Sequence, residues 1–135
     1  VARVADVRVR WRHDLVFEGE GDAGKAIAVD GDTAAATSPV ELLLVAAATC
    51  SAADVVEILK KKRVDLTRVD VAVRGTRRDE QPRRFTAIHF TWTIAGAGID
   101  ATKARHAIDL SILKYCSVLA SLAPDIAISY DVALA

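Results

Sequence analysis

Ser38-Pro39-Val40-Glu41-Leu42-Leu43-Leu44-Val45-Ala46-Ala47-Ala48-Thr49-Cys50-Ser51 is the stretch around which the rest of the chain is organised. Ser38 offers a side-chain acceptor to the first turn of a helix. Pro39 suits the first helical position because no backbone N–H is needed there, and Glu41, three residues after Ser38, completes a capping box. These signals predict a helix from Pro39 to about Arg63. From Val40 to Cys50 it is apolar nearly all the way round apart from Glu41 and Thr49, the pattern of a buried helix rather than a surface one. Lys60, Lys61, Lys62 and Arg63 close it with positive charge where the macrodipole is negative. A helix apolar on every side needs more cover than one sheet of a short chain provides, which predicts a homodimer built around it.

Alternating patterns flank this helix. Val4, Val7 and Val9 among Arg3, Asp6, Arg8 and Arg10 read as a half-buried strand ending near Trp11, and Leu15 to Glu20 and Lys25 to Asp30 repeat the pattern around the Gly-rich turn Glu20 to Gly24. An antiparallel meander of three strands follows. After the helix, Leu66 to Arg78 and Arg84 to Ile94 read as a hairpin of long strands joined by the polar turn Asp79 to Arg83. Asp100 is an N-cap for a second helix from Ala101 to Leu122, with helical spacing at Ala104, Ile108, Leu110, Ile112, Leu113, Cys116 and Leu119 and with Pro124 behind it. Ile126, Ile128, Tyr130 and Val132 make a last strand. The order βββαββαβ argues for an α+β fold, as one domain over residues 1–135, rather than a doubly wound parallel sheet.

Composition narrows the function. The chain has 135 residues, with 18 Lys plus Arg against 18 Asp plus Glu, so no positive field collects phosphates, and 5% aromatics leave little to stack on bases. Nucleic acid is not an expected partner. No segment approaches the ~20 uncharged residues of a membrane span, so no membrane is expected either. No charged-then-apolar leader follows Val1, which gives the cytoplasm as the expected address. With 52% hydrophobic residues the chain builds a core without disulfides. His13, His89 and His106 do not fall at ligand spacing with each other or with a cysteine, and neither metal nor cofactor is expected.

Cys50 and Cys116 each lie on a predicted helix among small or apolar neighbours. Two readings stand. Both are buried core thiols, or they form a redox pair in which one thiolate attacks an electrophile and the other resolves the product as a disulfide. Cys50 lies three turns past Ser38, where the dipole has faded, and Asp54 at i+4 disfavours a thiolate when ionised. A cationic partner has to come from elsewhere, with Arg10 and Arg12 at the end of the first strand as the candidates.

The stretch Ser38 to Ser51, followed by Asp54-Val55-Val56 and the basic end Lys60 to Arg63, resembles the central helix of OsmC/Ohr family proteins. His106-Ala107-Ile108 through Lys114-Tyr115-Cys116-Ser117-Val118 resembles that family's second cysteine helix. The motifs stand in the family's order and separation, and the resemblance covers nearly the whole chain. It implies an intertwined α+β homodimer with sites at the subunit interface. It further implies a thiol-dependent peroxidase that reduces organic hydroperoxides and takes part in the oxidative stress response. Cys50 matches the peroxidatic cysteine and Cys116 the resolving one, with a dithiol reductant, for instance of lipoyl type, resetting the pair.

The family's peroxidase branch holds its thiolate with an Arg from the N-terminal region and a Glu just after the helix-opening Pro. Here Val40 follows Pro39 directly and the acid stands one later, at Glu41, so Glu41 is either a site residue or only the capping-box acid. At about 100° per residue it lies on the opposite face of a straight helix from Cys50. Arg12, ahead of Arg10, is the candidate Arg by location. The alternative from a different class is a non-catalytic dimer that binds a hydrophobic small molecule between subunits, its cysteines structural or redox-sensing.

Overall fold

Three short strands of alternating character come first: β1 (Arg8–His13), β2 (Val16–Glu20) and β3 (Ala26–Asp30), in a computed structural model that describes residues 2–135. They pair as the expected antiparallel meander, with Val9 opposite Gly19 and Gly19 opposite Ile27, and with Trp11 opposite Phe17 and Phe17 opposite Val29. One face of this sheet is therefore apolar, because side chains two apart along a strand share a face. Much of it is exposed: Val9 is 69%, Trp11 63% and Ile27 55% exposed, while Phe17 and Val29 are half-buried. Asp30, buried at the end of β3, accepts the amide N–H groups of Asp32, Ala34 and Ala35. Those bonds, above all from Ala35 and Asp32, hold its carboxyl below the usual range. The residues up to Leu43 form one compact unit.

The second compact unit, from Leu44 on, contains most of α1 (Pro39–Lys61) and a second sheet. The helix buries a stripe spaced by four, Ala47, Ser51, Val55 and Leu59, while Val45 stays 52% exposed. Its all-round apolar character is thus not matched by all-round burial within one chain. By length and composition α1 is long and apolar enough for a membrane-crossing helix, as core helices of soluble proteins also are. However, its uncharged run extends only from Leu42 to Ala53 before Asp54 interrupts it, short of the ~20 residues of a span.

Strands β4 (Asp65–Arg77) and β5 (Phe85–Ala97) form the expected long antiparallel hairpin, and β6 (Ala127–Leu134) lies parallel to β5 on its other side. The inner face runs in rows across the three strands. Val71 pairs with Trp92 and Trp92 with Val132, Val73 with Phe90 and Phe90 with Tyr130, and Gly75 with Ile88 and Ile88 with Ile128. Ile88, Phe90, Trp92 and Ile94 of the central strand are buried and form the core with the α1 stripe and with Ala104, Ala107 and Ile108. Gly75 is required for this packing, because a Cβ there would lie 2.8 Å from Cδ1 of Phe85 and 3.0 Å from Cδ1 of Leu44.

Two parallel neighbours need a crossover, and residues 101–120 provide it. The single helix expected from Ala101 to Leu122 is broken into three pieces: α2 (Ala101–Leu110), a π-helical turn (Ser111–Tyr115) and the short α3 (Ser117–Ala120). Apolar spacing carried the expectation through the break, since the hydrophobic residues continue on both sides of it. Asp100 caps α2 as expected, accepting the N–H of Lys103 at 2.8 Å. At the far end Tyr130 of β6 donates to Asp109 at 2.7 Å, which ties the crossover to the sheet.

Candidate functional site

Cys50, half-buried, sits on α1 one residue before the buried stripe position Ser51. Cys116 lies outside any helix, with an extended backbone (φ −70°, ψ 101°) between the π-helical turn and α3. Its N–H bonds the carbonyl of Ser111 at 2.8 Å, and its sulfur accepts the N–H of Leu119 at 3.5 Å. The Cys116 thiol faces the Ala47 carbonyl at 3.9 Å, one turn before Cys50, and lies close enough to the Cys50 thiol for the two to interact. Both thiols are free and belong to the second unit.

Burial pushes the Cys116 thiol up from its ordinary value, and the Cys50 thiol beside it pushes in the same direction, partly offset by the N–H of Leu119. At neutral pH Cys116 is therefore a thiol. A thiolate is the nucleophile and a thiol is not. This disfavours Cys116 as the sulfur that attacks first at neutral pH.

Behind the thiols lies a polar chain that the sequence reading did not assign. Ser51 and Ser111 are fully buried, at 1% and 0% exposure. Their hydroxyl oxygens are 2.8 Å apart, and Ser111 donates to the Asp54 carboxylate at 2.8 Å. The signal that could have exposed it is the occurrence of serine on two otherwise apolar stripes, since a hydroxyl is buried there only with a partner. Beside it an open groove of about 410 Å³ is lined by Asp54, Glu57, Ile58, Lys61, Lys62, Leu110 and Tyr115.

The remaining candidates belong to the first unit. Arg12 forms an ion pair with Glu18 across the β1–β2 strands, not with Glu41. The Glu41 carboxylate accepts the Ser38 N–H at 3.1 Å and the Ser38 hydroxyl at 2.9 Å, and the Ser38 oxygen accepts the Glu41 N–H at 3.2 Å. This is the reciprocal capping box in full, and those two Ser38 bonds hold the Glu41 carboxyl below its usual range.

Residues 30–131 match the family described as OsmC-like protein, and the chain belongs to that family. Protein YhfA of Escherichia coli is 42% identical over 131 residues, covering 95% of this chain and 98% of YhfA. The crystal structure of the OsmC-like protein from Mycoplasma pneumoniae superposes with a TM-score of 0.85 at 20% identity, covering 99% of each chain. The organic hydroperoxide resistance protein OhrB of Bacillus subtilis superposes with a TM-score of 0.63 at 16% identity, covering 97% of this chain and 98% of its own. At those identities the last two show a shared fold. The α+β architecture is thus that of OsmC-like proteins, a fold that includes a protein of hydroperoxide resistance.

Proposed function

We propose that the chain is a thiol-dependent peroxidase acting on organic hydroperoxides through Cys50 and Cys116. The observation that carries this reading is the proximity of the two free thiols, one half-buried on a helix and the other buried, protonated and 3.9 Å from the Ala47 carbonyl one turn before the first. The Cys50 thiolate attacks the distal oxygen of ROOH. An S–O bond forms, the O–O bond breaks, and the alkoxide leaves as ROH after taking a proton. Cys50 is then a sulfenic acid. The Cys116 sulfur displaces its hydroxyl as water and the disulfide forms. A dithiol reductant, of which a lipoyl-type dithiol is one form, restores both thiols by two exchanges and leaves as its own disulfide. Per cycle, one hydroperoxide and one dithiol give one alcohol, one water and one disulfide.

In this reading the protein works as a homodimer. A second copy covers the exposed apolar side chains of β1–β3, such as Val9, Trp11 and Ile27, and those of α1, such as Leu43 and Val45. Arg12 is the cation assigned to favour the Cys50 thiolate, with Arg10 the next candidate. Glu41 keeps its capping role in this structure, and any part in the site is additional to it. The cytoplasm, where thiols stay reduced, is the compartment that suits a dithiol-driven cycle.

The test is consumption of an organic hydroperoxide with dithiothreitol or dihydrolipoamide. Wild type is expected to turn over and Cys50→Ser to be inactive, while Cys116→Ser retains a single stoichiometric turnover. Equal consumption by Cys50→Ser and wild type would overturn the proposal. Arg12→Ala is expected to slow alkylation of Cys50 at neutral pH, and an unchanged rate would remove Arg12 from the site.

A further inference from the structure

Asp54 lies four residues from Cys50 and, by charge alone, is an unwelcome neighbour for a thiolate. The structure gives that carboxylate a definite task. Its Oδ2 accepts the Ser111 hydroxyl at 2.8 Å, while the next acceptor available to that hydroxyl, the Ser51 carbonyl, is 3.5 Å away. A hydroxyl has one proton and a carboxylate only accepts, so the 2.8 Å contact between the two serines is made by the Ser51 proton. The chain is directed, from Ser51 to Ser111 to Asp54. Both hydroxyls are buried, and the two bonds offset the cost of keeping them from water.

Ser111 is held at two points. Its hydroxyl is fixed to the turn of α1 that presents Cys50, and its carbonyl receives the N–H of Cys116 at 2.8 Å as the closing bond of the π-helical turn. That bond spans five residues instead of four, so the turn widens by one residue and ends the helix at Cys116. Were α2 to run on regularly, Cys116 would continue its helical backbone instead of adopting the extended one that lets its thiol meet Cys50 and the Ala47 carbonyl.

We propose that Asp54, acting through Ser111 and Ser51, is a positioning residue that locks the π-helical turn to α1 and thereby holds the Cys116 sulfur within bonding reach of Cys50. This rests on the redox-pair reading above, but not on the peroxide being its oxidant. Its measurable consequence is the effective concentration of one thiol at the other.

The experiment equilibrates the full chain in glutathione redox buffers. There Cys50 and Cys116 pass two electrons and two protons to glutathione disulfide, giving the intrachain disulfide and two glutathione thiols. Ser111→Ala and the double variant Ser51→Ala/Ser111→Ala are expected to lower the effective concentration about tenfold or more, since small displacements of reacting atoms are costly. Asp54→Ala leaves the buried stripe of α1 intact and is the variant to use should the serine changes impair folding. It is expected to fall by about threefold or more, while Asp54→Asn, which keeps an acceptor oxygen, stays within about threefold of wild type. A role in stability alone would lower the unfolding midpoint of the reduced chain and leave this ratio unchanged. An Asp54→Ala ratio within threefold of wild type, or a wild type that forms no Cys50–Cys116 disulfide, overturns the proposal. If the ratios move as expected but wild type consumes no hydroperoxide, the positioning role stands and the peroxidase reading falls.

Discussion

The two sheets are written in the same alternating pattern and end in opposite states. In β5 every second residue from Ile88 to Ile94 is buried, and Trp92 is 0% exposed. In β1 the same alternation sets Val9 and Trp11 on one face, yet Trp11 is 63% exposed. Alternation states which face is apolar and nothing about what covers it. For the second sheet the cover belongs to the same compact unit, as the buried stripes of α1 and α2. For the first no such stripe exists among the described residues of its own unit, and cover from a second copy is what the proposed dimer would add.

The contrast is broken most severely at Trp92. Trp92→Ala is expected to cost about 3–5 kcal/mol by chemical denaturation, the range for an aromatic removed from a packed core. Trp92→Phe sharpens the result. The indole N–H is a buried donor without a partner among the described residues, so the smaller ring loses volume but removes that penalty and costs much less than Ala. A Trp92→Ala loss no larger than that of Trp11→Ala would dissolve the distinction between the sheets.

Trp11 comes next. If a second copy covers the first sheet, Trp11→Ser is expected to weaken the dimer by about 2 kcal/mol, a thirtyfold rise in the dissociation constant by sedimentation. The strands keep their pairing. A wild-type chain that sediments as a folded monomer at micromolar concentration would leave the sheet bare and overturn the dimer.

The smallest effects lie at the entrance to α1. Ser38→Ala is expected to cost about 1 kcal/mol, as for other N-caps. The Glu41 carboxyl is held below its usual range by Ser38, so the unfolded chain binds its proton more readily than the folded one. The stabilisation is fully present above the unfolded value and lost as pH falls through the folded value. Stability curves of wild type and Glu41→Gln should therefore separate above pH ~4.5 and converge in acid. Curves parallel at every pH would show that Glu41 contributes no pH-dependent cap.

Much of this molecule is legible along the chain. Ser38, Pro39 and Glu41 act within four residues of one another, so their capping box depends on local geometry that any context preserves. The strand alternations are equally local, and the meander and the long hairpin follow from them. The Cys50 and Cys116 segments were recognisable by motif, because sequence order and residue type are what a motif records.

Three features were decided by tertiary structure. The break at Ser111 is invisible to periodicity, since Leu110, Ile112, Leu113 and Leu119 continue an apolar pattern across it, and the π-helical turn forms around a hydroxyl bonded to residues 57 and 60 positions away. The partner of Arg12 was decided by strand pairing, which brings Glu18 beside it and leaves Glu41 to its cap. The meeting of the two thiols arises from a parallel β5–β6 pair whose crossover has to return over the sheet and pass α1. Local sequence determines which residues want a helix, a strand or a buried face, because those preferences act over a few residues. Which buried groups meet depends on contacts between distant segments, and only the folded chain selects among them.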